Sequence, residues 1–147
     1  MGVKCHKVLC GEYLYSITKS IYWRTVMEIT MIKENDVRIA IISSSETLIT
    51  DVQSSLDFIG TVGYEAGCDR VILNKSTICE EFFHLKTQLA GNIMQKFINY
   101  HMKIAIVGDF SVYSSKSLKD FIYESNKGKD IFFVTNETQA IEKLSNA

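Results

Sequence analysis

Met27-Glu28-Ile29-Thr30-Met31-Ile32-Lys33-Glu34-Asn35-Asp36-Val37-Arg38-Ile39-Ala40-Ile41-Ile42 is the stretch on which the fold turns. Met27, Ile29 and Met31 alternate with polar residues, the two-residue period of a half-buried strand. Glu34-Asn35-Asp36 supplies turn residues, and Val37 to Ile42 follows as a second strand. The stretch therefore predicts a hairpin.

Downstream the period changes. Thr50-Asp51-Val52-Gln53 reads as a capping box, with Thr50 capping and Gln53 reaching back. Val52, Leu56, Ile59 and Gly63 then share one helical face, and Gly67 ends the helix because glycine readily takes the left-handed C′ conformation. Inside that helix Gly60 and Gly63 read as a close-packing pair. Arg70 to Asn74 is a short apolar strand. Thr77-Ile78-Cys79-Glu80 predicts a second capping box and a long helix from Glu80 to Tyr100, striped with Phe82, Leu85, Leu89, Ile93 and Phe97. Lys103 to Val107 is a strand, and Ser114 or Ser115 caps a helix closed by Gly128. Ile131 to Val134 is the last strand, and Asn136 opens a closing helix through Leu144.

The order β-β-α-β-α-β-α-β-α implies right-handed crossovers and one mostly parallel α/β sheet. About five strands, the first a hairpin strand, and about four helices are expected. With 147 residues the chain suits one domain, placed at 27–147. It buries roughly 68–70% of its unfolded surface at such a length and needs no disulfide or metal staple.

Residues 1–26 keep neither period for long. They hold Lys4, Lys7, Lys19 and Arg24 against Glu12 alone, whereas the whole chain has a formal charge of −1. They read as an N-terminal extension, either disordered or a start-site artefact with Met27 or Met31 the true start.

Several classes are disfavoured. The near-neutral charge advertises no nucleic acid or anionic membrane. No apolar run has membrane length, and no signal peptide or myristoylation pattern opens the chain. Cys5, Cys10, Cys68 and Cys79 lack zinc-site spacing and fit a reducing cytoplasm. No dinucleotide, Walker, zincin or nucleophile-elbow motif is present, so no cofactor and no metal site is expected.

In open α/β sheets ligands bind outside the carboxyl ends of the strands. Those ends read Ser43-Ser44-Ser45-Glu46, Asn74-Lys75-Ser76-Thr77, Gly108-Asp109-Phe110-Ser111 and Thr135-Asn136. The candidate ligand-binding residues are Asn74, Ser76, Gly108, Asp109 and Ser111; Glu80, Glu81 and His84 form a weaker constellation near Asp109. Such residues also cap helices and make turns, and that structural reading carries the greater weight.

Asp51-Val52-Gln53-Ser54, Tyr64-Glu65-Ala66-Gly67-Cys68-Asp69-Arg70, Glu81-Phe82-Phe83, Leu89-Ala90-Gly91, Gln95-Lys96-Phe97 and above all Ile106-Val107-Gly108-Asp109-Phe110-Ser111 through Asp120-Phe121-Ile122-Tyr123-Glu124-Ser125-Asn126 carry a resemblance. By these residues the chain from about Met27 resembles an uncharacterised bacterial family, number 4180 in the domain-of-unknown-function series. That resemblance implies a fold and no particular activity. More distantly, the element order is similar to that of anti-sigma-factor-antagonist (STAS) domains, cytosolic modules that bind a partner protein and are switched by serine phosphorylation. Their serine region corresponds here to Phe82-Phe83-His84-Leu85, which has no serine. The expectation is a regulatory or protein-interaction module rather than an enzyme, working with a protein partner or as a homo-oligomer. The alternative is a small-ligand-binding protein or enzyme that uses Asp109, Asn74 and Ser111.

Overall fold

The computed structural model describes residues 27–147, and the expected extension at 1–26 lies outside them. A five-stranded sheet runs in the order β1 (Met27–Glu34), β2 (Val37–Ser44), β3 (Arg70–Asn74), β4 (Lys103–Val107), β5 (Ile131–Val134). β1 and β2 are antiparallel, and every later pair is parallel. The hairpin turn places Asn35 at φ 54° and Asp36 at φ 64°, the two left-handed residues of a type I′ turn.

Four helices follow: α1 (Val52–Thr61), α2 (Leu89–Asn99), α3 (Lys116–Lys127) and α4 (Glu137–Ser145). The strands advance in one direction, so right-handed crossovers put α1, α2 and α3 on one face. There Phe58, Phe82, Ile93, Phe97 and Leu118 pack on Ile29, Val71, Leu73, Ile104 and Ile106, all of them buried. Only α4, which follows the last strand, is left for the other face. Its Ala140 and Leu144 cover Ile39, Ile72, Ala105, Phe132 and Val134.

Two local expectations are corrected. The first concerns the cap of α1, which is Asp51 rather than Thr50. Asp51 Oδ1 accepts from Ser54 N at 2.8 Å, and Ser54 Oγ accepts from Asp51 N at 3.0 Å. Thr50 follows a bridge between Ile49 and Ile78 that holds the chain extended, and Gln53 turns instead to Asp57.

The second concerns the long helix, which does not start at Glu80. Glu80–Phe83 and Leu85–Thr87 are separate 3₁₀ turns before α2. Phe82 and Phe83 are both buried within the first of these turns. Thr87 competes for the backbone. Its hydroxyl donates to His84 O at 2.9 Å and accepts from Leu89 N at 3.2 Å. Gln88, at φ 63°, then starts the true helix.

Candidate functional site

The paired register sets Asn74 beside Val107, so the turns after β3 and β4 lie side by side. All five predicted site residues are in these two turns. Asn74 Oδ1, Asp109 Oδ1 and Ser111 Oγ are engaged within these turns. Asn74 Oδ1 accepts from Ser76 N at 2.9 Å. Asp109 Oδ1 accepts from Ser111 N at 3.0 Å and from Ser111 Oγ at 2.6 Å. Those hydrogen bonds, with a smaller contribution from the Lys75 charge, hold the Asp109 carboxyl below the usual carboxylate range. Gly108 makes room for the Lys75 stem.

Lys75 Nζ sits over the Tyr113 ring at 5.0 Å and the Phe83 ring at 5.8 Å. Tyr113 stacks on Phe83 with centroids 5.2 Å apart, and Phe110 bridges Phe83 and Phe133. The Tyr113 hydroxyl is screened from solvent with no partner in hydrogen-bond geometry. Burial, reinforced by the nearby Glu80 carboxylate, pushes the Tyr113 pKa up. Sequence reasoning missed this aromatic seat for Lys75, because Lys75, Phe83 and Tyr113 are joined only through the fold.

A cleft of about 340 Å³ opens at the same end of the sheet, between the N-terminus of α4 and the ends of β2, β3 and β4. Ser43, Ser44, Asn74 and Ser76 line it; Gly108, Asp109 and Ser111 do not. Glu137, in the first turn of α4, also lines it and opposes the anion that a helix N-terminus would otherwise favour.

A larger cleft, about 730 Å³, lies at the opposite end of the sheet, where no ligand residue was expected. After α1 the chain makes a π-helical turn, Val62–Ala66, and leaves it through Gly67 at φ 61°. That turn thrusts out Tyr64, 84% exposed, and Tyr100 just past α2 is 61% exposed. Both line the cleft with Gly60 and Gly63. A Cβ on Gly60 would meet nothing within 4 Å, and one on Gly63 only Met102 Cε at 3.7 Å. Neither glycine sits in a close-packed contact, which corrects the expectation for them, and both line the cleft. A glycine inside a helix costs about 1 kcal/mol relative to alanine, and here no tight contact demands it.

The cationic groups of this cleft are already engaged. The Arg38 guanidinium donates to Ala66 O at 3.2 Å and Gly67 O at 3.4 Å. Arg70 donates to Leu144 O, Ala147 O and Asp69. Cys68 is buried, its thiol donating to Arg38 O at 2.9 Å, and burial pushes its pKa up. The outward groups are the tyrosines with Asp36 and Asp69, whose side chains are 99% and 67% exposed. Among the described residues no cluster of His, Cys, Asp and Glu could hold a metal ion, and no helix is long and apolar enough to cross a membrane.

These features define a small α/β domain with a mostly parallel sheet. Within that class the chain belongs to the family Domain of unknown function (DUF4180), whose model matches residues 34–144. No curated protein matches the chain. No solved structure matches it either.

Proposed function

We propose that the domain is a small regulatory or protein-interaction module, and that its docking surface is the cleft between Tyr64 and Tyr100. The exposure of these two tyrosines beside a glycine-floored hollow carries the reading. Tyrosine is among the residues that anchor interfaces, since one rigid ring buries a large area at little entropic cost. The partner is a protein that presents a lysine or arginine side chain. Ring faces attract a cation, both guanidiniums of the cleft are committed to carbonyls or to Asp69, and the Asp36 and Asp69 carboxylates stay largely exposed although they pair with Lys33 at 4.0 Å and Arg70 at 3.1 Å. The STAS-like part of this reading rests on the element order read from the sequence alone. The Phe82–Leu85 stretch lies in 3₁₀ turns with both phenylalanines buried, so we propose a partner-binding role without the serine switch of STAS domains. A cytoplasmic location fits the four separated cysteines.

The test is capture from the native host, comparing the wild-type chain with the Tyr64→Ala/Tyr100→Ala double variant. A specific protein retained by the first and lost by the second is expected, with Asp36→Asn/Asp69→Asn weakening its capture. Capture of the same proteins by both chains refutes the reading.

The cleft of about 340 Å³ favours a second reading, a small polar ligand held at the carboxyl ends of the strands. Asn74 and Ser76 would line that site, with Gly108, Asp109 and Ser111 on the neighbouring turn. A thermal-shift screen of nucleotides and phosphorylated metabolites tests it: a hit that Asp109→Asn leaves unchanged removes Asp109 from the site, and no hit at all removes the reading.

A further inference from the structure

The two edges of the sheet are finished differently. At β5 the edge is short, four residues, and a side chain closes it: Asn126 Oδ1 accepts from Phe133 N at 2.7 Å while Asn126 Nδ2 donates to Phe133 O at 3.1 Å. At β1 the edge is eight residues long and unbroken. Its register with β2 runs from Met27 against Ser44 to Glu34 against Val37 without a bulge. Proline, which blunts edges elsewhere, is absent from the chain.

Hairpin geometry decides which groups face outward. A two-residue type I′ turn makes Glu34 and Val37 the hydrogen-bonded closing pair. Bonded and non-bonded pairs then alternate, so Glu28, Thr30, Ile32 and Glu34 bond to β2. Met27, Ile29, Met31 and Lys33 direct their N–H and C=O groups away from the sheet. Among the described residues no hydrogen bond to these outward groups is present. A row of such groups is a template for another strand.

We infer that the occupant is a second copy of this chain, its β1 paired antiparallel to β1 about a two-fold axis through Thr30. Opposed residues must point to the same face, and with the outward set fixed only a few registers satisfy it. Centring on Thr30 sets Ile29 against Met31 of the second copy and Met27 against Lys33. Every outward group from Met27 to Lys33 is then paired. Centring on Met31 instead pairs fewer groups and sets Glu28 against Glu34, a like-charge contact that destabilises. The strand's charges are at its ends, Glu28, Lys33 and Glu34, and the central run Ile29-Thr30-Met31-Ile32 is uncharged. Met31 and Ile32 are only partly buried within one copy. This surface is distinct from the Tyr64–Tyr100 cleft, and the inference does not depend on it.

Sedimentation equilibrium of the full chain at up to about 100 μM, a range that resolves weak association, tests the inference beside two variants. The wild-type chain is expected to reach twice the monomer mass. Thr30→Lys sets two ammonium groups face to face across the axis and weakens association at least about tenfold. In Thr30→Cys the two thiols meet in a non-hydrogen-bonded pair with Cα atoms about 4.5 Å apart, within disulfide reach. Mild oxidation should then yield a peptide linked from position 30 to position 30, identified by mass spectrometry. A wild-type chain that stays monomeric overturns the inference, even if it recruits a strand from another protein. Association unchanged by Thr30→Lys overturns it as well. If the lysine variant fails to fold, the disulfide decides alone, and its absence refutes the pairing.

Discussion

A Cβ atom placed on Gly108 would stand 2.6 Å from Cβ of Lys75 and 2.9 Å from its Cδ. The turn after β4 can therefore close against the turn after β3 only while position 108 lacks a side chain. Gly108→Ala is expected to destabilise the fold by about 1–3 kcal/mol, the ordinary range for overpacking. Lys75→Gly in that background should recover part of the loss, because it removes every atom of the clash. A denaturant-unfolding double-mutant cycle measures both, and strict additivity would show that the contact is not the cause.

Tyr113 carries a buried hydroxyl that lies near the Glu80 carboxylate but makes no hydrogen bond of good geometry. Tyr113→Phe keeps the ring on Phe83 and under Lys75, so it should be neutral or stabilising, by up to about 1 kcal/mol.

The same residue makes a pH prediction. Its folded pKa lies above the ordinary value of 10 because burial and Glu80 oppose the phenolate. The unfolded chain thus gives up this proton first as pH rises, and the stability linked to it is intact below pH 10 and lost progressively above it. Melting temperatures from pH 8 to above pH 10 should fall more steeply for the wild-type chain than for Tyr113→Phe; parallel curves would contradict the assignment.

Asn126 supplies both hydrogen bonds to the Phe133 backbone at the β5 edge. Asn126→Ala should cost about 1–3 kcal/mol, because it strands a partly buried N–H and C=O. Hydrogen exchange at the Phe133 amide should rise with it, and an unaffected amide would mean that water replaces the side chain at no cost.

Tyr64→Ala and Tyr100→Ala remove exposed rings that pack on little, so each should alter stability by less than about 0.5 kcal/mol. A larger loss in chemical unfolding would assign these tyrosines to the fold instead of to a partner.

The alternation that begins at Met27, the Asn35-Asp36 turn, the apolar runs at Arg70–Asn74, Lys103–Val107 and Ile131–Val134, and Gly67 as a helix stop were all legible in the chain. Each is a local signal, set by a side-chain period or by a backbone conformation that one residue type prefers. The cap of α1 was off by one residue because a bridge to Ile78, distant in sequence, holds the chain up to Thr50 extended. The true helix starts at Leu89 and not at Glu80, because the Thr87 hydroxyl engages the backbone of His84 and Leu89 and Gln88 turns left-handed before it.

By itself, then, the sequence determined the strands, the helices and their order, since those follow from near neighbours along the chain. Only the tertiary structure decided what those elements expose. It turned Asn74 Oδ1 and Asp109 Oδ1 onto their own turns and gathered Lys75, Phe83 and Tyr113 into one cluster. It also placed Tyr64 and Tyr100 beside a cleft floored by Gly60 and Gly63, and closed one sheet edge with Asn126 while leaving β1 without a second strand neighbour among the described residues. These relationships join residues that share no local period, so they come into being only when the strands pair and the helices dock.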